Sequence, residues 1–215
     1  QWPMTVRQVL NHTSGIRHYH GSNGEPRDTP EQRQALEELQ RQENLAARIR
    51  YTDLTTPLDT FKNEPLLFEP GTRYHYTSMG YRLLGCVLEG ASGESYPSLM
   101  KRTVFGPAAM LETTQDDSLA IIAHRASGYA ADENGRLRRA EFRDTSENVP
   151  AGGHLSTAED LVRFAMAFDA GALVKAQTIQ MMSVQPATPG GDRNKYYGLG
   201  IMVRTVPQGL LLSHT

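Results

Sequence analysis

FEPGTRYHYTSMGYRLLGCVLEGASG, residues 68–93, passes in one run from a turn signal to an aromatic cluster, two hydroxyls and an apolar helical pattern. Pro70 and Gly71 punctuate the turn. Downstream, Met79, Leu83, Leu84, Val87 and Leu88 recur at i, i+4, i+5, i+8 and i+9, which is one stripe of a helix. Tyr76 and Ser78 therefore stand at the mouth of a helix that the stripe buries. A phenol and a hydroxyl held in place that way are candidates for chemistry, provided a nucleophile exists for them to serve.

Working outward, MTVRQVL (residues 4–10) follows Pro3 and predicts a short helix with Val6, Val9 and Leu10 on one face. NHTSGIRHYHGSNGEP is a polar, glycine-punctuated loop. Residues 30–50 are rich in strong helix formers, with Pro30 at the first helical position and apolar content limited to Leu36, Leu39, Leu45 and Ile49. That composition predicts a largely exposed helix, or an insertion packed on one edge. PLDTFKNEPLLFEPGT returns to turn signals.

Beyond residue 93, YPSLMKRTVF predicts a second short helix. HRASGYAADENGRLRRAEF predicts a hairpin, with strands around 126–130 and 137–142 on a DENG turn. In AGGHLSTAEDLVRFAMAF, Ser156 with Glu159 three residues on predicts a capping box. It leads Leu161, Phe164, Ala165 and Phe168 at helical spacing, and Gly171 supplies a stop. YYGLGIMV and GLLLSHT predict two strands around a VPQG turn. The chain is mostly helical with strands at its C-terminal end, and it carries no internal repeat.

The bulk numbers bound the function. In 215 residues, 39% are hydrophobic and 21% charged, which suits a globular chain, and the formal net charge of −2 speaks against a nucleic-acid footprint. The single cysteine, Cys86, excludes an internal disulfide and a thiolate metal cluster and reads as a small buried hydrophobe. No apolar run reaches the roughly 20 residues that span a bilayer.

Several local patterns invite chemistry and have plainer readings. Asn11-His12-Thr13 matches a glycosylation sequon, a triplet common by chance. His18 and His20 resemble a metal pair, but no third ligand stands at a matching spacing, so no metal is assigned. The chain holds no G-x-S-x-G elbow, H-E-x-x-H or phosphate-cradling glycine loop. One S-x-x-K occurs, Ser98 to Lys101. It falls late in the helical order with no partner motif downstream, and it reads as a decoy.

Four blocks together resemble one family, the serine β-lactamase-like hydrolases: class C β-lactamases, low-molecular-mass penicillin-binding proteins, and related esterases and peptidases. VRQVLNHTSGI is similar to their L-L-x-H-T-S-G-I segment. FEPGTRYHYTSMGYRLLGCVLEGASG is similar to their F-x-P-G block with its Y-x-N, and AGGHLSTAEDLVRF to their A-G-G-L-x-S-T-A block. The terminal YGLGIMV and SHT resemble the strand pair that ends in K-T-G or H-T-G. The blocks occur in family order, and the SGIRHY and Y-T-S variants lean toward the mitochondrial β-lactamase-like branch and its bacterial relatives.

The resemblance implies an α+β fold, an α/β sandwich with a helical lobe of the β-lactamase/transpeptidase type, incomplete and mostly helical in this chain. Residues 1–195 would form the helical lobe and its loops, and 196–215 the first strands of the sheet. It implies a serine hydrolase, whether esterase, peptidase or weak β-lactamase, working through an acyl-enzyme without a cofactor on a small ester, amide or peptide.

Tyr76 would carry protons between nucleophile and leaving group. A phenol is a poor base near neutrality, so the family sets cations beside it. Ser78 stands where class C enzymes carry Asn and would orient Tyr76 or touch substrate. His214 and Thr215 replace K-T-G on the substrate strand. An imidazole is only partly charged near neutrality, which implies a weaker, pH-dependent anchor for a carboxylate.

The nucleophilic Ser and its Lys are expected upstream of this sequence, so the chain reads as an internal piece of a longer enzyme. The resemblance favours a periplasmic or secreted setting. An open sheet edge would invite self-association. The alternative is a catalytically inactive relative that binds or assembles through the same cleft.

Overall fold

The computed structural model describes residues 2–186 and 195–214. Among them the helices are α1 (Val6–Leu10), α2 (Pro30–Ala46), α3 (Ser78–Ser92), α4 (Tyr96–Met100), α5 (Val149–Gly152), α6 (Ala158–Asp169) and α7 (Ala176–Met182). The strands are β1 (Thr114–Gln115), β2 (Tyr129–Ala131), β3 (Leu137–Arg139), β4 (His154–Leu155), β5 (Lys195–Tyr197), β6 (Met202–Val206) and β7 (Gly209–Ser213). The architecture is α+β: helices around a small core, two short two-stranded sheets, and a C-terminal antiparallel meander β5-β6-β7 with Tyr196 opposite Val203 and Val203 opposite Leu212. None of the helices is long and apolar enough to cross a membrane.

Helix starts follow their capping chemistry. Thr5 and Thr29 each accept from the backbone N–H three residues on, and the Gln at that position reaches back, which closes a capping box at α1 and at α2. On α1 only Val9 is fully buried and Val6 is half exposed, so the expected apolar face is narrower than the spacing suggested. α2 ends at Ala46, short of residue 50, and is tied inward by a few contacts. Leu36 is buried, and the buried Arg17 guanidinium pairs with Glu43 at 2.7 Å and Glu64 at 2.6 Å.

α3 positions the site. Thr77 caps it by accepting from Gly80 N–H at 3.2 Å, and Gly93, with φ 70°, takes the left-handed conformation that ends it. Met79 and Leu84 are buried, and Leu83 packs on the Ile16–Phe61–Met79 core, whereas Val87 and Leu88 are exposed. The apolar stripe is only part of the buried face, whose other members are Ser78, Gly80, Arg82 and Gly85. Gly85 lets α5 approach, because a Cβ there would overlap the Pro150 ring. Arg82 is 2% exposed and forms an ion pair with Glu147 at 3.2 Å. Its Nη2 donates to Tyr19 Oη at 2.8 Å and its Nε to Asn148 Oδ1 at 3.2 Å.

At α6 the cap is Thr157, not Ser156. Thr157 accepts from Asp160 N–H at 3.1 Å, while the Ser156 hydroxyl is bonded to Thr113 at 2.8 Å. The cap is displaced by one residue and closes no capping box, because the fully buried Asp160 carboxylate turns to other partners. It accepts from Glu112 N–H, the Thr113 hydroxyl and Arg163. The apolar residues that made the pattern, Leu161 and Phe164, remain exposed.

The expected hairpin is present but shorter, with Ala130 opposite Arg138, and Asp132 Oδ1 accepts from Asn134 and Arg136 N–H to hold its turn. YYGLGIMV divides into β5 and β6, because Gly198 N–H turns back to the Ile201 carbonyl at 2.8 Å.

Candidate active site

The loop of residues 12–18 forms the floor of the site. Residues 67–77 run alongside it, and their N–H groups donate into it: Leu67 to the Gly15 carbonyl (2.8 Å), Gly71 to Thr13 (2.7 Å) and His75 to His12 (2.9 Å). Gly15 sits at φ 80°, and a Cβ there would overlap the Phe68 carbonyl oxygen, so both conformation and closeness require glycine. Asn11, His12, Thr13 and Ser14 are all buried, and Thr13 Oγ1 donates to Asn11 Oδ1 at 2.7 Å. The apparent sequon is therefore interior structure.

Where this pairing ends, the chain enters α3, whose first N–H groups lack helical partners. Two imidazoles help satisfy the entry. Thr77 N–H donates to His12 Nδ1 at 3.1 Å, and Ser78 N–H donates to His18 Nδ1 at 3.2 Å. A backbone N–H can only donate, so each Nδ1 is an acceptor and a neutral ring must carry its hydrogen on Nε2. Burial pushes His12 down to about 3 and His18 down to about 4, with the neighbouring histidines and, for His18, Arg82 and Arg17 adding to it. Both rings are neutral at physiological pH.

Tyr76, partly buried, lies among these rings. Its centroid is 4.3 Å from His12, 5.4 Å from His18 in edge-to-face geometry, 6.2 Å from Tyr197 and 6.4 Å from His214. The structure thus brings Tyr76 and His214 to one place. His214 is exposed just past β7, and Ser78 is buried as the first residue of α3. Thr215 lies outside the described residues. Tyr81 Oη donates to the Leu10 carbonyl at 2.8 Å, which also accepts from Gly200 N–H at 3.2 Å, so α1, α3 and the β5–β6 turn converge behind the cluster. Burial pushes Tyr81 up to about 12 and Tyr197 higher still, and both stay protonated.

The histidine pair of RHYHG divides its work. His20 Nδ1 meets Glu25 at 3.2 Å, whereas His18 faces α3. Asn23 Oδ1 accepts from His18 N–H at 2.7 Å and bonds His75 Nε2 at 3.0 Å, and the Asn23 amide donates to Glu25 Oε1 at 2.7 Å. Ser98 is exposed on α4, its hydroxyl 2.9 Å from that of Ser95, and with Lys101 it lines a separate groove bordered by Phe105, Met110 and His154. Cys86 donates to the Leu54 carbonyl at 3.1 Å, and burial raises its thiol.

Three members of the cluster escaped the reading of residues one by one: His12, Tyr81 and Tyr197. His12 was hidden inside a chance-looking triplet, and the signal that pointed to it is the VRQVLNHTSGI block as a whole.

Comparison with known proteins bears on this arrangement. The family model described as beta-lactamase matches residues 1–215. The chain is similar to the mitochondrial serine beta-lactamase-like protein LACTB of Mus musculus, 28% identical over 210 residues, covering 75% of this chain and 38% of that protein. It is also similar to penicillin-binding protein 4* of Bacillus subtilis, 27% identical over 226 residues, covering 99% of this chain and 46% of that one. Among solved structures, a penicillin binding protein from Bacillus halodurans matches with TM-score 0.72 at 25% identity, over 96% of this chain and 58% of that chain. A D-stereospecific amidohydrolase from Streptomyces sp. shares the fold with TM-score 0.76 at 24% identity, over 98% of this chain and 60% of that chain. The chain spans less than half the length of both curated relatives.

Proposed function

The chain belongs to the beta-lactamase family, and from that premise we propose that it is part of a serine hydrolase that works through an acyl-enzyme. The serine nucleophile and its lysine lie outside this sequence, and Tyr76 carries the proton. The serine oxygen adds to the carbonyl carbon of an ester or amide, Tyr76 takes the hydroxyl proton, and the same proton passes to the departing alcohol or amine. Water then repeats the exchange to free the enzyme. Ser78 orients Tyr76 or meets the substrate, and His214 with Thr215 lines the substrate strand.

The observation that carries this reading is the placement of Tyr76: at the mouth of α3, among His12, His18 and Tyr197, with His214 across from it. Electrostatics adds a constraint. His12 and His18 are held neutral by burial, so neither supplies the cation that a phenol needs in order to act as a base. The family resemblance assigns that charge to the lysine partner of the nucleophile. Relatives named D-aminopeptidase (25% identical over 94% of this chain) support an amide or peptide substrate. A penicillin-binding protein homologue from Pyrococcus abyssi is described as octameric, which supports self-association as a further part of the proposal.

The test uses the full-length protein and a fluorophosphonate or penicillin probe. Covalent labelling is expected, and Tyr76→Phe should slow it by about 10²- to 10⁴-fold, the usual contribution of a positioned acid–base group. A folded full-length protein that both probes leave unlabelled would favour the inactive binding relative instead.

A further inference from the structure

The geometry points to His12 as the residue that positions Tyr76, acting in its Nε2–H tautomer. This rests on the reading of Tyr76 as proton carrier.

Four observations converge on His12. It brackets Tyr76 through both chain neighbours: its carbonyl accepts from His75 N–H at 2.9 Å, and its Nδ1 accepts from Thr77 N–H at 3.1 Å. Its ring is also the surface Tyr76 rests on, 4.3 Å between centroids at a 41° tilt, and the same imidazole is backed by Tyr197 at 4.4 Å and Tyr81 at 5.1 Å. Its backbone is left-handed, with φ 58°, an uncommon conformation for a residue with a Cβ and one that asparagine, aspartate and histidine adopt most readily. Finally, the side chain is 1% exposed and its Nε2 is buried without a hydrogen-bond partner.

A residue that merely filled the core would carry neither of the last two features. Leucine or phenylalanine fills space without an orphaned N–H, and neither residue tolerates the left-handed region well. Both costs make sense where one side chain must meet two demands at once. It has to present an acceptor to the peptide after Tyr76 and a flat wall to the Tyr76 ring. An imidazole with hydrogen on Nε2 does this, and the tautomer is forced because the Thr77 N–H occupies Nδ1. The Nε2–H edge then sits among the aromatic rings, away from solvent, where it cannot exchange protons with substrate. His12 is a positioning residue, one step removed from the reaction.

The variant His12→Asn separates the two demands. Its Oδ1 stands where Nδ1 stands, and asparagine tolerates the left-handed backbone, so the Thr77 bond survives while the wall is lost. In the full-length protein hydrolysing a p-nitrophenyl ester, His12→Asn should lower kcat by about 10- to 100-fold with KM within about twofold, the signature of a misplaced catalytic group. Introduced into a Tyr76→Phe background, the same change should lower kcat by less than about twofold, because its effect passes through the phenol. A full multiplicative loss in that background, or an unchanged kcat in folded His12→Asn, would overturn the inference. Where the variant does not fold, imidazole nitrogen resonances of the wild-type protein decide. Hydrogen on Nε2 and none on Nδ1 from pH 7 to pH 5 is expected, and a protonated Nδ1 in that range refutes it. If Tyr76→Phe alone keeps full turnover, the proton-carrier reading fails, whatever His12 does.

Discussion

The buried ion pair beneath the site makes a sharp prediction about stability. Arg82 is 2% exposed and Glu147 6%, and their charged groups stand 3.2 Å apart. Burial pushes the Glu147 carboxyl above its ordinary value, although Arg82 and Arg143 pull the other way. The cost of taking the carboxylate out of water therefore exceeds what the guanidinium returns, as is common for such pairs. Arg82→Met would strand Glu147, and breaking a buried pair from one side costs about 3–5 kcal/mol. Glu147→Leu strands Arg82 and should cost about as much.

Arg82→Met/Glu147→Leu removes both charges. What remains is the loss of the Arg82 hydrogen bonds to Tyr19 and Asn148, each costing at most about 1–3 kcal/mol and less here because both partners are only half-buried. The double variant should thus be more stable than either single one. At about 2–4 °C per kcal/mol for a chain of this size, Arg82→Met should lower Tm by roughly 6–20 °C, and adding Glu147→Leu should recover part of that loss.

The pH dependence has a definite sign. A carboxyl whose folded pKa is raised holds its proton more tightly when folded, so its penalty grows as pH rises through that value and disappears below it. In Arg82→Met the main opposing charge is gone and only Arg143 still pulls the other way, so the Tm deficit against wild type should be smaller at pH 5 than at pH 8. Scanning calorimetry of the four proteins at the two pH values checks each step. Additive single and double effects, or a deficit that does not change with pH, would refute the reasoning.

Three other outcomes follow from the site and its neighbours. His12, held down to about 3 by burial, binds its proton more weakly folded than unfolded. Its contribution is therefore complete above about pH 6.5 and is lost as pH falls below that. Between pH 7 and pH 5 this one group should remove about 2 kcal/mol, at 1.36 kcal/mol per unit of pKa, seen as a fall in urea midpoint that is smaller by this amount in His12→Asn, where His18, held down to about 4, still supplies a fall of its own. Gly15→Ala combines a left-handed alanine with overlap on the Phe68 carbonyl and should cost roughly 2–4 kcal/mol, measured by urea unfolding. Ser98→Ala removes a hydroxyl that among the described residues is bonded to Ser95 alone, on an exposed helix, and full-length enzyme carrying it should keep its turnover within about twofold.

The parts of the fold that a single segment determines were legible. Thr29, Pro30 and Gln32 write the start of α2 locally, and the Met79-to-Leu84 spacing with Gly93 beyond it writes α3. Errors arose where a distant partner chose among local options. Ser156 and Thr157 both can cap α6, and Asp160, drawn to Glu112 N–H and the Thr113 hydroxyl, settled on Thr157. Arg82 reads as a charge that would reach for solvent from an apolar helix. It is buried because Glu147, Tyr19 and Asn148 come to it from elsewhere in the chain.

The candidate site divides the same way. Tyr76 and Ser78 were visible because a helix mouth is a local feature. His12 was not, because its value lies in groups it does not neighbour in sequence. A run such as NHTSGIRHYH has the composition of a surface loop, yet Asn11 through Arg17 are buried. Polar loops can be interior only where they satisfy someone else's hydrogen bonds, and the groups in need here are the N–H donors of residues 67–78. Backbone carbonyls of the buried loop meet that demand for Leu67, Gly71 and His75, and at the helix start side-chain acceptors take over. In this chain, that demand places two neutral imidazoles against a phenol.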